Sequence, residues 1–287
     1  MSATLQQVRR RWRTVRLGLP TVLGLGKRGH FLPDRNAAAI VQPMAYPAVE
    51  RVFEAAQDRF SAVLQAADAY RADLMAIGAD APPAPRWNQG WFPTLDAAVA
   101  YTLVRDRRPA RIVEIGSGHS TRFMARAIAD GGLNTHQVAI DPHPRAGIAG
   151  LPLHHIARPV QTVDPSVFAA LAPDDILFID SSHIAVAGSD VDVLINRVVP
   201  ALPAGAMVHI HDMHLPDDYP ASWAWRGYNE HSVVVPLVTG GGFAPVFASH
   251  YAATRMALAV GASVIAALPR VDGAPPGSLW LEKRTPA

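Results

Sequence analysis

Cysteine is absent from the 287 residues, which removes disulfides, thiolate metal ligands and cysteine nucleophiles together. That absence fits a reducing compartment, and a cytoplasmic protein is the expectation. No apolar run reaches the roughly 20 residues that a bilayer-spanning helix needs. The arginine-rich start lacks the apolar core and small-residue cleavage site of a secretory signal, so none is expected. An excess of one charge is missing too: 26 basic against 24 acidic side chains give +2, and no global field draws the chain to nucleic acid. No internal repeat or low-complexity tract is visible. What is present in quantity is apolar, 49% of the residues, enough to fill a sizeable core.

The basic excess is local. Leu5 to Arg16 reads as a helix carrying Arg9, Arg10, Arg11, Arg13 and Arg16, with Leu5, Val8, Trp12 and Val15 at spacings of three and four. Such a helix suits a peripheral membrane contact through residues 5–16, or an arm packed on its own domain. Gly18, Pro20, Gly24, Gly26 and Gly29 then predict a loop over 17–36. From Pro47 to Ile77 apolar residues mark one face of a single long helix. Pro82, Pro83, Pro85 and Pro93 follow in a stiff segment where Trp87 and Trp91 are expected to pack under a loop. Thr94 or Asp96 is the expected cap of the next helix, which reaches Arg105. The division predicted is 1–36 as basic helix and linker, 37–93 as a helical cap with a proline-rich crossing segment, and 94–287 as the main domain.

Beyond residue 110 strands and helices alternate. Ile112, Val113 and Ile115 form a short buried strand, followed by a helix over Arg122–Ala129 capped by Ser120 or Thr121. Further strands are predicted at Gln137–Ile140, Leu153–Ala157, Asp175–Asp180, Ala206–Asp212, Pro245–Ser249 and Ser278–Glu282, with helices at Ser166–Leu171 and Asp190–Val199. This is an α/β pattern, a doubly wound and mostly parallel sheet with its ligands at the carboxyl ends of the strands.

Between the first strand and its helix, Gly116 and Gly118 allow a tight turn whose amides point into a cradle. Glu114 lies inside the strand, where a carboxylate needs hydrogen bonds, and Asp141 ends the second strand, where it can accept from both hydroxyls of a ribose. Val113-Glu-Ile-Gly-Ser-Gly118 with Asp141 resembles motif I and the next acidic position of class I S-adenosylmethionine-dependent methyltransferases, over roughly residues 88 to 283. The resemblance implies a Rossmann-like sheet of seven strands, the last antiparallel, and cofactor contacts at Glu114, Gly116, Ser117, Gly118, His119 and Asp141. A nicotinamide-dependent oxidoreductase shares these features but would want glycine where Thr121 stands.

Three strands end in acids, Asp141, Asp180 and Asp212, and like charges gathered along one edge call for a positive partner, a sulfonium or a divalent cation. Asp180-Ser-Ser-His183 and His209-Ile-His211-Asp212 resemble the motif positions of metal-dependent O-methyltransferases related to catechol methyltransferase. That likeness implies Asp180, His211 and Asp212 as metal ligands, with histidine shifting preference from magnesium toward manganese, iron or zinc. His183, Asp180 and His211 are the expected catalytic residues, with His183 as general base because an ordinary imidazole titrates near neutrality. His209 is expected in the core, and His143, His154, His155 and His250 default to surface or core roles.

Residues 215–230 read as a long lid or binding loop in which Trp223, Trp225, Arg226, Tyr228 and Asn229 suit a sugar or aromatic acceptor. With Phe178–His183, Gly188-Ser-Asp190 and His209–Asp212 the chain also resembles a bacterial branch of methyltransferases near those acting on sugars and antibiotics. The expected activity is therefore O-methylation of a small molecule or glycan. A non-catalytic membrane-associated adaptor that keeps the cradle for stability is the rival from another class.

Overall fold

The computed structural model describes residues 3–30, 35–39 and 45–285. Contacts divide the chain into two compact units, Met1–Pro43 with Pro220–Arg226, and Met44–Tyr219 with Gly227–Ala287.

In the first unit helix α1 (Ala3–Val22) runs six residues past Arg16 into the predicted loop, with Pro20 inside it. Proline removes one amide donor, a small loss in a last turn. The Thr21 hydroxyl donates to the Leu17 carbonyl at 3.1 Å and accepts the Arg28 amide at 2.9 Å, so the glycine-rich tail folds back on the helix end. The 3-10 turn Ala221–Arg226 stacks the Arg226 guanidinium over Trp223, 4.1 Å from the ring centre.

The second unit begins with α2 (Pro47–Glu54), α3 (Gln57–Ala69) and α4 (Arg71–Ala76), where the sequence predicts one helix. The breaks fall at Ala56 and Tyr70, with no proline or glycine to mark them. At the second break the Tyr70 ring packs on Tyr101, while Asp68 accepts the Val264 amide at 2.8 Å. These tertiary contacts bend the chain around the core, yet the apolar face Val49, Phe53, Phe60, Leu64 and Leu74 stays buried throughout. Residues 49–92, from Val49 to Phe92, thus add to the same hydrophobic cluster as the sheet. Helix α5 (Thr94–Arg107) is buried on all sides from Thr94 to Val104. Neither expected cap serves it: Thr94 donates to the Pro269 carbonyl, and Asp96 is turned into the interior.

The sheet comprises β1 (Arg111–Ile115), β2 (His136–Ile140), β3 (His154–Ile156), β4 (Ile176–Ile179), β5 (Met207–Ile210), β6 (Phe243–Ala248) and β7 (Leu279–Lys283), in the order β3-β2-β1-β4-β5-β7-β6. β7 is antiparallel to both neighbours, and the other pairings are parallel. The connecting helices are α6 (His119–Asp130), α7 (Ser166–Ala169), α8 (Asp190–Val193), α9 (His231–Thr239), α10 (Ser249–Arg255) and α11 (Ala257–Ala262). The helix predicted over 190–199 is α only to Val193, continuing as a π turn and then a 3-10 turn that ends at Ala201. Registers align Ile115 with Ile140 and Ile179, and Ile179 with Ile210. Gly116, Asp141, Asp180 and His211 are therefore the next residues along one carboxyl edge, where an open α/β sheet presents ligands.

Candidate active site

The cradle is built from backbone. Gly116 has φ 77, and a Cβ there would lie 1.9 Å from the Asp180 carbonyl oxygen, so β1 and the end of β4 meet at a point only hydrogen can occupy. Helix α6 begins at His119, three residues earlier than predicted, and the Thr121 hydroxyl closes its first turn by accepting the Gly118 amide at 2.8 Å. Asp141 accepts the Ser117 amide at 2.8 Å through one oxygen and the His143 amide at 2.7 Å through the other. The turn and the second strand's acid are thus locked together.

Over this turn opens a pocket of about 370 Å³ whose walls include Gly116, Ser117, Gly118, His119, Asp141 and Asp180. Glu114 is the exception among the expected cofactor contacts. It is wholly buried beneath the turn, accepts a 2.6 Å hydrogen bond from Ser120, and does not line the pocket. Burial pushes its carboxyl up to about 8, against the pull of the Ser120 and Thr121 hydroxyls, so the group is neutral at pH 7. Burial, with Arg122 and Arg86 nearby, pushes His119 down to about 4, leaving a neutral imidazole on the wall. Trp87 packs on Phe123 as expected, but Trp91 is half-exposed on the rim with the Arg145 guanidinium 4.4 Å above its ring.

Asp180 belongs to the pocket wall and also to a second, deeper arrangement. Nε2 of His183 lies 3.3 Å from Asp180 and 3.4 Å from Asp212, while its Nδ1 meets Glu230 at 2.8 Å. His211 directs Nδ1 at Asp180 and Asp212, at 3.6 and 3.5 Å, and Nε2 at Asp96 at 3.4 Å. Asp96 in turn accepts the Gly277 and Ser278 amides at 2.9 and 3.0 Å, which fixes the entry to β7 against His211. His183 and Asp212 have φ 61 and 54, left-handed conformations that non-glycine residues hold only where the surroundings enforce them.

Burial alone would drive both imidazoles neutral. For His183 the hydrogen bonds to Asp180 and Glu230 outweigh it, and for His211 the Asp180 charge does, so both are held well above the ordinary histidine range. The same pairing holds Asp180 and Asp96 below the usual carboxylate range despite their burial. These pairings favour the protonated imidazole of His183, which then donates to Asp180 and Glu230.

Two carboxylates and two imidazoles are the right donor types for a transition metal. Among the described residues, however, no group of three or more acidic or histidine side chains is arranged to hold an ion. The ring nitrogens of His183 and His211 meet the acids at ion-pair distances.

His209 is core, as expected: it is fully buried, stacked 3.7 Å from Phe178, and paired with the Ser278 hydroxyl at 2.8 Å. Residues 227–230 close over His183 rather than forming an open acceptor surface. Tyr228 packs 4.5 Å from its ring, and Asn229 spends its amide on both backbone groups of Ala185. Glu230 and Asp96 were not predicted at the site. The polar ending of the 215–230 loop was the signal for the first, and none marked the second. His250, without a partner visible in the sequence, binds Asp217 at 2.8 Å.

Residues 113–213 match a family model described as a methyltransferase domain, a span running from the first strand through the cradle to the end of the fifth. That span is 101 of the 287 residues, and the sheet that holds it, seven strands with β7 antiparallel to both neighbours, is Rossmann-like. Comparison with curated proteins finds no match. Among solved structures the chain is similar to an SAH-bound methyltransferase of Podospora anserina, at 16% identity over 90% of this chain and 100% of that one, with a TM-score of 0.40. It is also similar to TomG, an O-methyltransferase of Streptomyces achromogenes involved in tomaymycin synthesis, at 18% identity over 78% and 90% with a TM-score of 0.38.

Proposed function

We propose that the enzyme methylates a hydroxyl oxygen of a small molecule or glycan, with S-adenosylmethionine as donor. The observation that carries this is Asp180, one residue shared by the pocket wall and the carboxylate–imidazole cluster. It brings the cradle and the charged groups to one point. The residues suit the donor: Asp141 would bind the ribose hydroxyls through the lone pairs its amide bonds leave over, and the Gly116–Gly118 turn would admit the amino acid arm. Four carboxylates, Asp96, Asp180, Asp212 and Glu230, face only two imidazoles, and that negative excess favours a cation at the pocket edge.

The donor supplies an already activated methyl group, so the protein's task is in-line placement and exclusion of water. Asp212 accepts the hydrogen bond of the acceptor hydroxyl, and its oxygen takes the proton as the methyl–oxygen bond forms. His183, held by Glu230, keeps Asp180 and Asp212 oriented. No step is routed through a metal.

Calorimetric titration with S-adenosylmethionine and S-adenosylhomocysteine, followed by transfer of labelled methyl to hydroxyl, amine and thiol acceptors, tests the reading. Micromolar binding that Asp141→Ala weakens at least about tenfold is expected, since a ribose-binding carboxylate makes charge-assisted hydrogen bonds. Binding of a nicotinamide cofactor instead, or label on nitrogen or sulfur only, overturns it.

A further inference from the structure

We propose that α1 is an interfacial anchor that adsorbs the protein to an anionic lipid surface, a property separate from the methyl-transfer reading. Val8, Trp12, Val15, Leu19 and Val22 recur at spacings of four and three, so they form one stripe along the helix. In a folded unit such a stripe is normally covered. Here Val8, Trp12, Val15, Leu19 and Val22 are 49, 71, 52, 53 and 56% exposed. On the helical wheel Arg9 and Arg16 border the stripe on one side and Arg11 on the other.

Charge selects the occupant. Of the 26 basic residues seven precede Asp34 and 19 follow it, whereas all 24 acidic residues lie from Asp34 onward. The cationic segment is therefore local and carries no compensating acid. A second copy of the helix would find the same spacing a usable coiled-coil seam, but Arg9, Arg11 and Arg16 occupy the flanking positions and would face their like across it. A nucleic acid would use the arginines and leave the apolar stripe in water. An anionic bilayer satisfies both: the stripe enters the boundary of headgroups and acyl chains, Trp12 sits at its preferred depth, and the flanking arginines meet lipid phosphates. Adsorption in the plane, not insertion, is the mode, because no described helix is long and apolar enough to cross a membrane.

The test is co-sedimentation of the full chain with vesicles of phosphatidylcholine alone and of equal parts phosphatidylcholine and phosphatidylglycerol, at low and high salt. Binding to the anionic vesicles, at least about tenfold weaker to the neutral ones and weakened by salt, is expected. The double variant Trp12→Glu, Leu19→Glu should abolish binding with an unchanged melting temperature. The triple variant Arg9→Gln, Arg13→Gln, Arg16→Gln should lose roughly fivefold per arginine. Equal binding by either variant and the parent overturns the proposal. So does a parent that ignores vesicles but forms a dimer, seen by light scattering, that Trp12→Glu, Leu19→Glu dissolves. Retention on duplex DNA without retention on vesicles overturns it as well.

Discussion

His183 and His211 are as deeply buried as His214 and His231, yet their surroundings push the two pairs in opposite directions. The second pair lies among other rings: the His214 amide donates to His231, whose ring stacks on Tyr219 at 3.8 Å, and His250 stands 5.1 Å from His214. Burial pushes both His214 and His231 down to about 3. The acids near them are committed elsewhere, since Asp217 is held by both terminal nitrogens of Arg255 and by His250. Around the first pair the carboxylates face the ring nitrogens directly and favour the protonated imidazoles. Desolvation is common to all four rings; negative charge set against the ring nitrogens decides the direction.

Four experiments separate the pairs. The largest effect is expected from Glu230→Ala, which leaves the His183 cation without its closest partner and should cost about 3–5 kcal/mol in urea unfolding. In the parent, NMR titration should find His183 and His211 protonated through pH 7 and His214 and His231 neutral above pH 4; the reverse assignment breaks the contrast. Asp96→Asn keeps the shape but removes the charge facing His211 and should cost about 2 kcal/mol, read from the same unfolding curves.

Glu114 is the counter-case, a buried carboxyl with no cation beside it. Its folded-state value is raised, so its contribution to stability is complete below the ordinary carboxylate range near 4.5 and is lost as pH rises through about 8. Glu114→Gln should flatten that decline, raising stability at pH 8 by about 1–2 kcal/mol more than at pH 5. A melting temperature whose pH dependence is unchanged in the variant would show that Glu114 is ionised in the native protein. The smallest effect is expected from His231→Phe, about 1 kcal/mol, because a neutral stacked ring is replaced by another and only one accepted hydrogen bond is lost.

The sheet was legible because its information is local. Short β-branched runs ending in glycine or an acid, such as Arg111–Gly116 and Asp175–Asp180, announce both a strand and its carboxyl end, and the registers bring those ends level. The cradle followed for the same reason. The partners of the two acid-paired histidines did not, since Asp96 and Glu230 lie 115 and 47 residues from His211 and His183 in the chain, at places where a helix cap and a loop are equally good local readings. Charge states were illegible too: His183 and His231 look alike until their neighbours are known. The breaks in 47–77 escaped because tertiary contacts, with no proline or glycine, impose them.

The van der Waals gap between Gly116 and the Asp180 carbonyl has an evolutionary corollary. With only a hydrogen's width between them, the peptide that presents Asp180 and the glycine turn that lines the pocket form one block, and neither can shift without the other. A larger side chain at position 116 would therefore displace the end of the fourth strand together with Asp180, a change that substitutions in the segment after Ser181 do not impose.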